Sequence, residues 1–169
     1  MRKLLTLSVF FTVFLMGCGY SLQTKAKLPF QEIYIRNVEN LTLEPGLQDK
    51  MRRIMYHTLT LNGFKVVEKA DKILDIQIKN FRYTTLSEIS LETVEYQILM
   101  EVGATLYSRD GKKIKEFTPS SPFLTYFRTT KELQSVIANK NLAVESLLRD
   151  ICDDFIRKLI FEYASDSGV

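Results

Sequence analysis

The chain has 169 residues, 46% of them apolar and 25% charged, with a formal net charge of +3. That length and composition describe a globular chain of one domain and exclude the disordered and collagen-like classes. The charge falls short of the strongly basic footprint of a nucleic-acid binder. Two cysteines and one histidine are too few for a zinc site of four thiolate or imidazole ligands.

Arg2 and Lys3 open the chain, and Leu4 to Met16 follow with only Thr6, Ser8 and Thr12 polar. As a helix this stretch spans about 20 Å, short of the roughly 30 Å hydrocarbon core of a bilayer. A short basic start before a short apolar run is the pattern of a secretory signal peptide. The run ends in Leu15-Met16-Gly17-Cys18, which resembles a bacterial lipobox and implies cleavage before Cys18 and acylation of that residue. A soluble secretory site carries small residues at both −3 and −1, and Leu15 does not fit one. Residues 1–17 are thus expected to be a lipoprotein signal peptide, 18–29 a lipidated N-terminus and tether, and 30–165 a single domain. Cleavage leaves 152 residues and a net charge of +1, because Arg2 and Lys3 depart without an acid. Two or more acyl chains anchor stably. Gly19 stands where enteric lipoproteins held at the inner membrane carry Asp, so delivery to the outer membrane is expected. No later stretch is apolar for long enough to span a membrane.

In the remaining sequence Ile33 to Val38 predicts a first strand, with Ile33, Ile35 and Asn37 facing one way. Asn40 to Gly46 reads as a loop. Pro45 suits the first turn of a helix over about 45–62, where Leu47, Met51, Ile54, Met55, Thr58 and Leu61 recur at helical spacing before Asn62-Gly63. Phe64 to Val67 restarts extended structure, and Ile73 to Tyr83 alternates with Leu74, Ile76 and Ile78 on one side. Val94, Tyr96, Ile98, Met100, Val102, Ala104 and Leu106 then occupy every second position, the signature of a strand with one buried face. Asp110-Gly111 marks a tight hairpin turn, Lys112 to Thr118 returns as the partner strand, and Pro119 and Pro122 fit an edge. A long helix over about Leu133 to Tyr163 closes the domain on a stripe of Val144, Leu147, Leu148, Ile151, Phe155 and Leu159. The order β-α-β-β-β-α predicts an α+β two-layer sandwich: a mixed sheet of about four strands with two helices on one face. The other face, bearing Glu95, Gln97 and Glu101, is left for water or a partner.

Chemistry finds little footing. His57 is the only histidine and sits mid-helix; Cys152 follows the stripe position Ile151 and reads as a small buried hydrophobe. Glu92, Glu95 and Glu101 read as solvation of an exposed strand face. The seven glycines are scattered and form no phosphate loop. No catalytic residue, metal ligand or cofactor site is expected. The basic hairpin residues Arg109, Lys112, Lys113 and Lys115, with Lys79 and Arg82 as further candidates, suit either the phosphates of an anionic lipid or simple edge protection.

Several stretches together are similar to the lipopolysaccharide-assembly lipoprotein family LptE. They are Cys18-Gly19-Tyr20, Leu28-Pro29 leading to Ile33-Tyr34-Ile35, Val38-Glu39-Asn40-Leu41-Thr42, Leu43-Glu44-Pro45-Gly46-Leu47, Ala70-Asp71 and Thr93-Val94-Glu95-Tyr96, closed by the final helix. The resemblance implies a two-helix, four-strand sandwich without enzymatic activity. It implies a heterodimer with the outer-membrane β-barrel LptD, which such a protein plugs and helps to assemble, and a part in passing lipopolysaccharide to the cell surface. It also implies lipid A contacts from basic residues at one end of the sheet, for which Arg109, Lys112, Lys113 and Lys115 are candidates by position. The alternative is a periplasmic lipoprotein adaptor or lipid carrier outside lipopolysaccharide export.

Overall fold

In a computed structural model, which describes residues 28–88, 93–118 and 122–166, eight elements follow one another. They are β1 (Glu32–Asn40), α1 (Leu47–Leu61), β2 (Lys65–Val66), β3 (Lys72–Glu88), β4 (Thr93–Ser108), β5 (Lys113–Phe117), β6 (Phe123–Thr130) and α2 (Leu133–Asp166). The expected signal segment, Cys18, Glu92 and Pro119 lie outside the described residues.

The sheet runs β2-β1-β3-β4-β5, with β6 also paired to β4. β1 is parallel to β2 and to β3, and every other pair is antiparallel. The crossover through α1 therefore returns the chain parallel to β1, as its length requires. Six strands replace the expected four. One extra is the two-residue β2, which lies within the Phe64–Val67 stretch expected to be extended but not counted as a separate strand of the sheet. The other is β6, whose alternation of Phe123, Thr125 and Phe127 with Leu124 and Tyr126 was masked by the prolines beside it. Pro122 stands just before β6, where no ladder N–H is needed. β5 and β6 share one edge of β4: β5 covers Ala104 to Tyr107 and β6 covers Thr93 to Met100.

Both helices lie on the same sheet face, and the core fills the space between. Leu74, Ile76 and Ile78 of β3 meet Ile98, Met100 and Leu106 of β4 there, under Met51, Met55 and Leu59 of α1 and Leu147, Leu148 and Leu159 of α2. Each of these side chains is almost fully buried, and burial on this scale, rather than helix propensity, holds α1 and α2 in place. The expected inward set on β1 is corrected by a bulge. Arg36 has no partner on β3, so the alternation skips one residue and Val38, not Asn37, turns into the core. α1 begins at Leu47, two residues after Pro45: Gly46, at φ 75°, supplies the left-handed turn that precedes the helix. Gly63 performs the matching task after its end, at φ 91°.

Candidate functional site

The topology gives the molecule two distinct ends. β1 and β3 run away from the point where the described chain starts at Leu28, and β4 returns, so that Lys72 pairs with Ser108. α1 runs back the same way, and α2 lies parallel to it: Lys50 donates to Asn141 at 2.9 Å and Arg53 to Glu145 at 3.2 Å. The start of β1, the ends of both helices and the 109–112 turn therefore share one end, called here the near end. The Glu88 end of β3, the Thr93 end of β4 and the 41–46 loop form the far end.

The basic hairpin stands at the near end, and its cations are not equivalent. Arg109 is exposed, and its guanidinium donates to the Lys69 carbonyl at 3.2 Å, tying the hairpin to the segment before β3. The Lys112 backbone N–H donates to Asp110 Oδ1 at 3.1 Å. That bond and the Ser108 side chain hold the Asp110 carboxyl below its ordinary range, so the turn keeps its negative charge. Lys113 pairs with Glu116, which raises the lysine and lowers the acid. A bulge opposite Leu106 and Tyr107 then splits the strand. Lys113 faces Tyr107 on the open side of the sheet. Lys115 faces Leu106 on the helix side, its ammonium 6.0 Å from the Phe117 ring centre. The structure thus brings Arg109, Lys112 and Lys113 together and turns Lys115 away. It adds Lys69, whose carbonyl accepts the Arg109 bond, and Lys72, opposite Ser108, which sequence reasoning did not group with the hairpin because the first contact spans 40 residues and the second depends on the β3–β4 register.

The open sheet face carries several paired polar side chains beside the exposed Leu124 and Tyr126. Arg36 holds Asp75 through both carboxylate oxygens, with Nε to Oδ1 at 3.0 Å, and its guanidinium lies 5.1 Å from the Tyr107 ring centre. Gln77 donates to Glu39 at 2.9 Å, and Arg128 to Glu95 at 3.1 Å. Lys79 lies across Gly103, where an added Cβ would come within 3.0 Å of its Cε. Arg82 is exposed farther out on β3.

At the far end the helix-side face carries Tyr83, Tyr96 and Phe127 as one stack, with ring centres 5.0–6.1 Å apart. Lys140 of α2 reaches over it, 5.2 Å from the Tyr83 ring centre and 2.8 Å from both oxygens of Glu44. Burial and the neighbouring Tyr96 push the Tyr83 hydroxyl up to about 12. The 41–46 loop that supplies Glu44 is built around Asn40. The Asn40 amide donates to the Glu44 carbonyl at 2.7 Å, and its oxygen accepts from Thr42 N and Oγ1 at 3.1 and 2.8 Å. Alternating aromatics at 81, 83, 96 and 127 were the available signal for this cluster.

His57 is exposed. Among the described residues no group of three His, Cys, Asp or Glu side chains is placed to hold a metal ion, and no helix is long and apolar enough to cross a membrane. What the arrangement offers is surface: exposed cations at one end, a sheet face bearing several ion pairs, and a latched aromatic cluster at the other.

This fold is that of solved bacterial lipoproteins. A Caulobacter crescentus lipoprotein superposes with a TM-score of 0.60 at 14% identity, covering 78% of this chain and 93% of that one. The minor lipoprotein of Acinetobacter baumannii superposes with a TM-score of 0.52 at 12% identity, covering 79% and 92%. No curated protein matches the sequence. The family model for lipopolysaccharide assembly, LptE, matches residues 30–159, and the chain belongs to that family. Membership gives it a role in lipopolysaccharide assembly, within a family whose partner is LptD.

Proposed function

We propose that the chain is a non-enzymatic outer-membrane lipoprotein, anchored through Cys18, that plugs the barrel protein LptD and supports its assembly. In this reading it also assists delivery of lipopolysaccharide to the cell surface. The observation that carries the proposal is the family match over residues 30–159. The open sheet face supports it: a plug must meet a hydrated lumen, and the Arg36–Asp75 and Glu95–Arg128 ion pairs on that face can do so without stranding an ion. Purification of the full-length protein in mild detergent should recover a stoichiometric large β-barrel. Recovery alone, or with an inner-membrane complex, would overturn the plug and favour an adaptor or carrier.

Within that role the near-end cations Arg109, Lys112, Lys113 and Lys115 are proposed to contact lipopolysaccharide phosphates. Arg109 and Lys112 should contribute most, since Lys113 shares its charge with Glu116 and Lys115 faces the helix layer. Reversing Lys112 and Lys113 to Glu should weaken lipopolysaccharide binding roughly tenfold at low salt, with the difference shrinking as salt screens the surface. Binding unchanged at low salt would return these lysines to edge protection.

A further inference from the structure

The described chain begins inside a groove. A concavity of about 740 Å³ lies where the end of α1 meets the C-terminal part of α2, lined by Leu28, Leu61, Ile160 and Phe161 with Asp153 and Arg157. Leu61 is 73% exposed there, although the inward residues of its helix are buried. Leu28 forms one wall: its Cδ1 lies 3.5 Å from where a Cβ on Gly63 would stand. Leu28 and Phe30 both pack against the core, and the Phe30 and Phe64 ring centres are 5.5 Å apart.

The residues upstream of Leu28 carry a pattern that continues this contact. Counting back from Phe30 and Leu28, every second residue is Ala26, Thr24, Leu22 and Tyr20, and between them stand Lys27, Lys25, Gln23 and Ser21. An extended chain puts alternate residues on one side. The side that packs on the core at Phe30 and Leu28 thus goes on as small and apolar residues, opposite a polar one. A mere spacer needs no such alternation. Charge agrees. Residues 19–27 hold two lysines and no acid, and residues 150–166 of α2 hold five carboxylates against two cations. Neither helix has a basic residue in its last turn, and a cationic segment is favoured beside a helix end that lacks its own.

We propose that residues 20–27 are a strap, an extended segment that follows Leu28 into this groove and lays Leu22 against Leu61. Six residues separate Leu22 from Leu28, at most about 21 Å of chain. Four then separate Cys18 from Leu22, so an anchor at Cys18 is held within about 14 Å of the groove, where an undocked tether would reach about 35 Å from Leu28. The docking needs neither the barrel nor acylation; only the short anchor spacing rests on the Cys18 reading above.

Cysteine cross-linking tests the strap in the mature acylated protein on phosphatidylethanolamine vesicles, where Cys18 is blocked by lipid and Cys152 is buried. Leu22→Cys with Leu61→Cys should form an intramolecular disulfide at least about tenfold faster than Leu22→Cys with Leu43→Cys, which places the second thiol on the fully exposed far-end loop. Trypsin should cut after Lys25 and Lys27 about tenfold more slowly in the parent than in Leu22→Ser, a change that leaves residues 28–166 intact. Leu61→Ser should loosen the strap as much, and the double variant no further. Equal cross-linking at Leu61 and Leu43, or a trypsin rate that Leu22→Ser does not alter, would overturn the strap. A disulfide joining two chains would overturn it too, and assign the groove to the tether of a second copy. The intramolecular cross-link on protein that fails to float with the vesicles would support the strap and overturn the anchor.

Discussion

Ile98→Ala is expected to lower the free energy of unfolding by about 3 kcal/mol, within the usual range for deleting a fully buried aliphatic side chain. Ile98 is completely buried and sits in β4, the strand paired with β3 on one flank and with β6 on the other, opposite Tyr83 and Thr125. The void opens where three strands and the helix layer converge, so little of it can collapse. Leu124→Ala makes the control: its side chain is 41% exposed on the open face, and the loss there should stay near or below about 1 kcal/mol. Urea titrations that show a lower midpoint for Ile98→Ala with an unchanged slope would confirm the effect. Equal losses at the two positions would show that β4 is not the keystone of the core.

The second large effect concerns Cys152. Its thiol is fully buried, 3.6 Å from the Met51 sulfur, and burial pushes it up to about 12. At pH 8 the thiolate fraction should be on the order of a thousandfold below that of a free cysteine, before any steric protection is counted. Maleimide labelling, read by mass spectrometry of the Cys152 peptide, should proceed only as fast as the domain opens. The linkage has a definite sign. The unfolded thiol loses its proton near pH 8.5 while the folded one keeps it to about 12, so above pH 8.5 the unfolded state binds fewer protons. Stability from this group is whole below pH 8.5 and declines through the window to about pH 12, by at most about 1.4 kcal/mol per unit. Cys152→Ala should flatten that part of the alkaline decline. A variant as alkali-sensitive as the parent would exclude the thiol as its cause.

The parts of the fold that sequence made legible are those where one local rule acts without competition. The alternation from Val94 to Leu106 reports a strand with a single buried face, and its inward positions are buried, with Tyr96 half-buried in the aromatic stack. Asp110-Gly111 makes the hairpin, with Gly111 at φ 86°. The stripe on α2 from Val144 to Leu159 is buried as its spacing required. Reading failed where two signals overlapped. Pro122 suggested the end of a sheet when it prepared a new strand, and the bulge at Arg36 inverted the facing of Asn37 and Val38 without any mark in composition. The near-end site was legible only in part. Arg109 and Lys112 are neighbours in sequence, but Lys69 joins them through a contact across 40 residues that no local pattern contains.

The parallel packing of α1 against α2 has a consequence for a chain that crosses a membrane N-terminus first. α1 and the strands it covers cannot bury their shared face until α2, the last element, arrives to fill it. Met51, Met55, Ile78 and Ile98 would emerge long before Leu147 and Leu159, leaving an apolar face uncovered for most of the passage. Such a nascent chain is a natural client for holdase chaperones, and the productive folding decision falls on its final thirty residues or so.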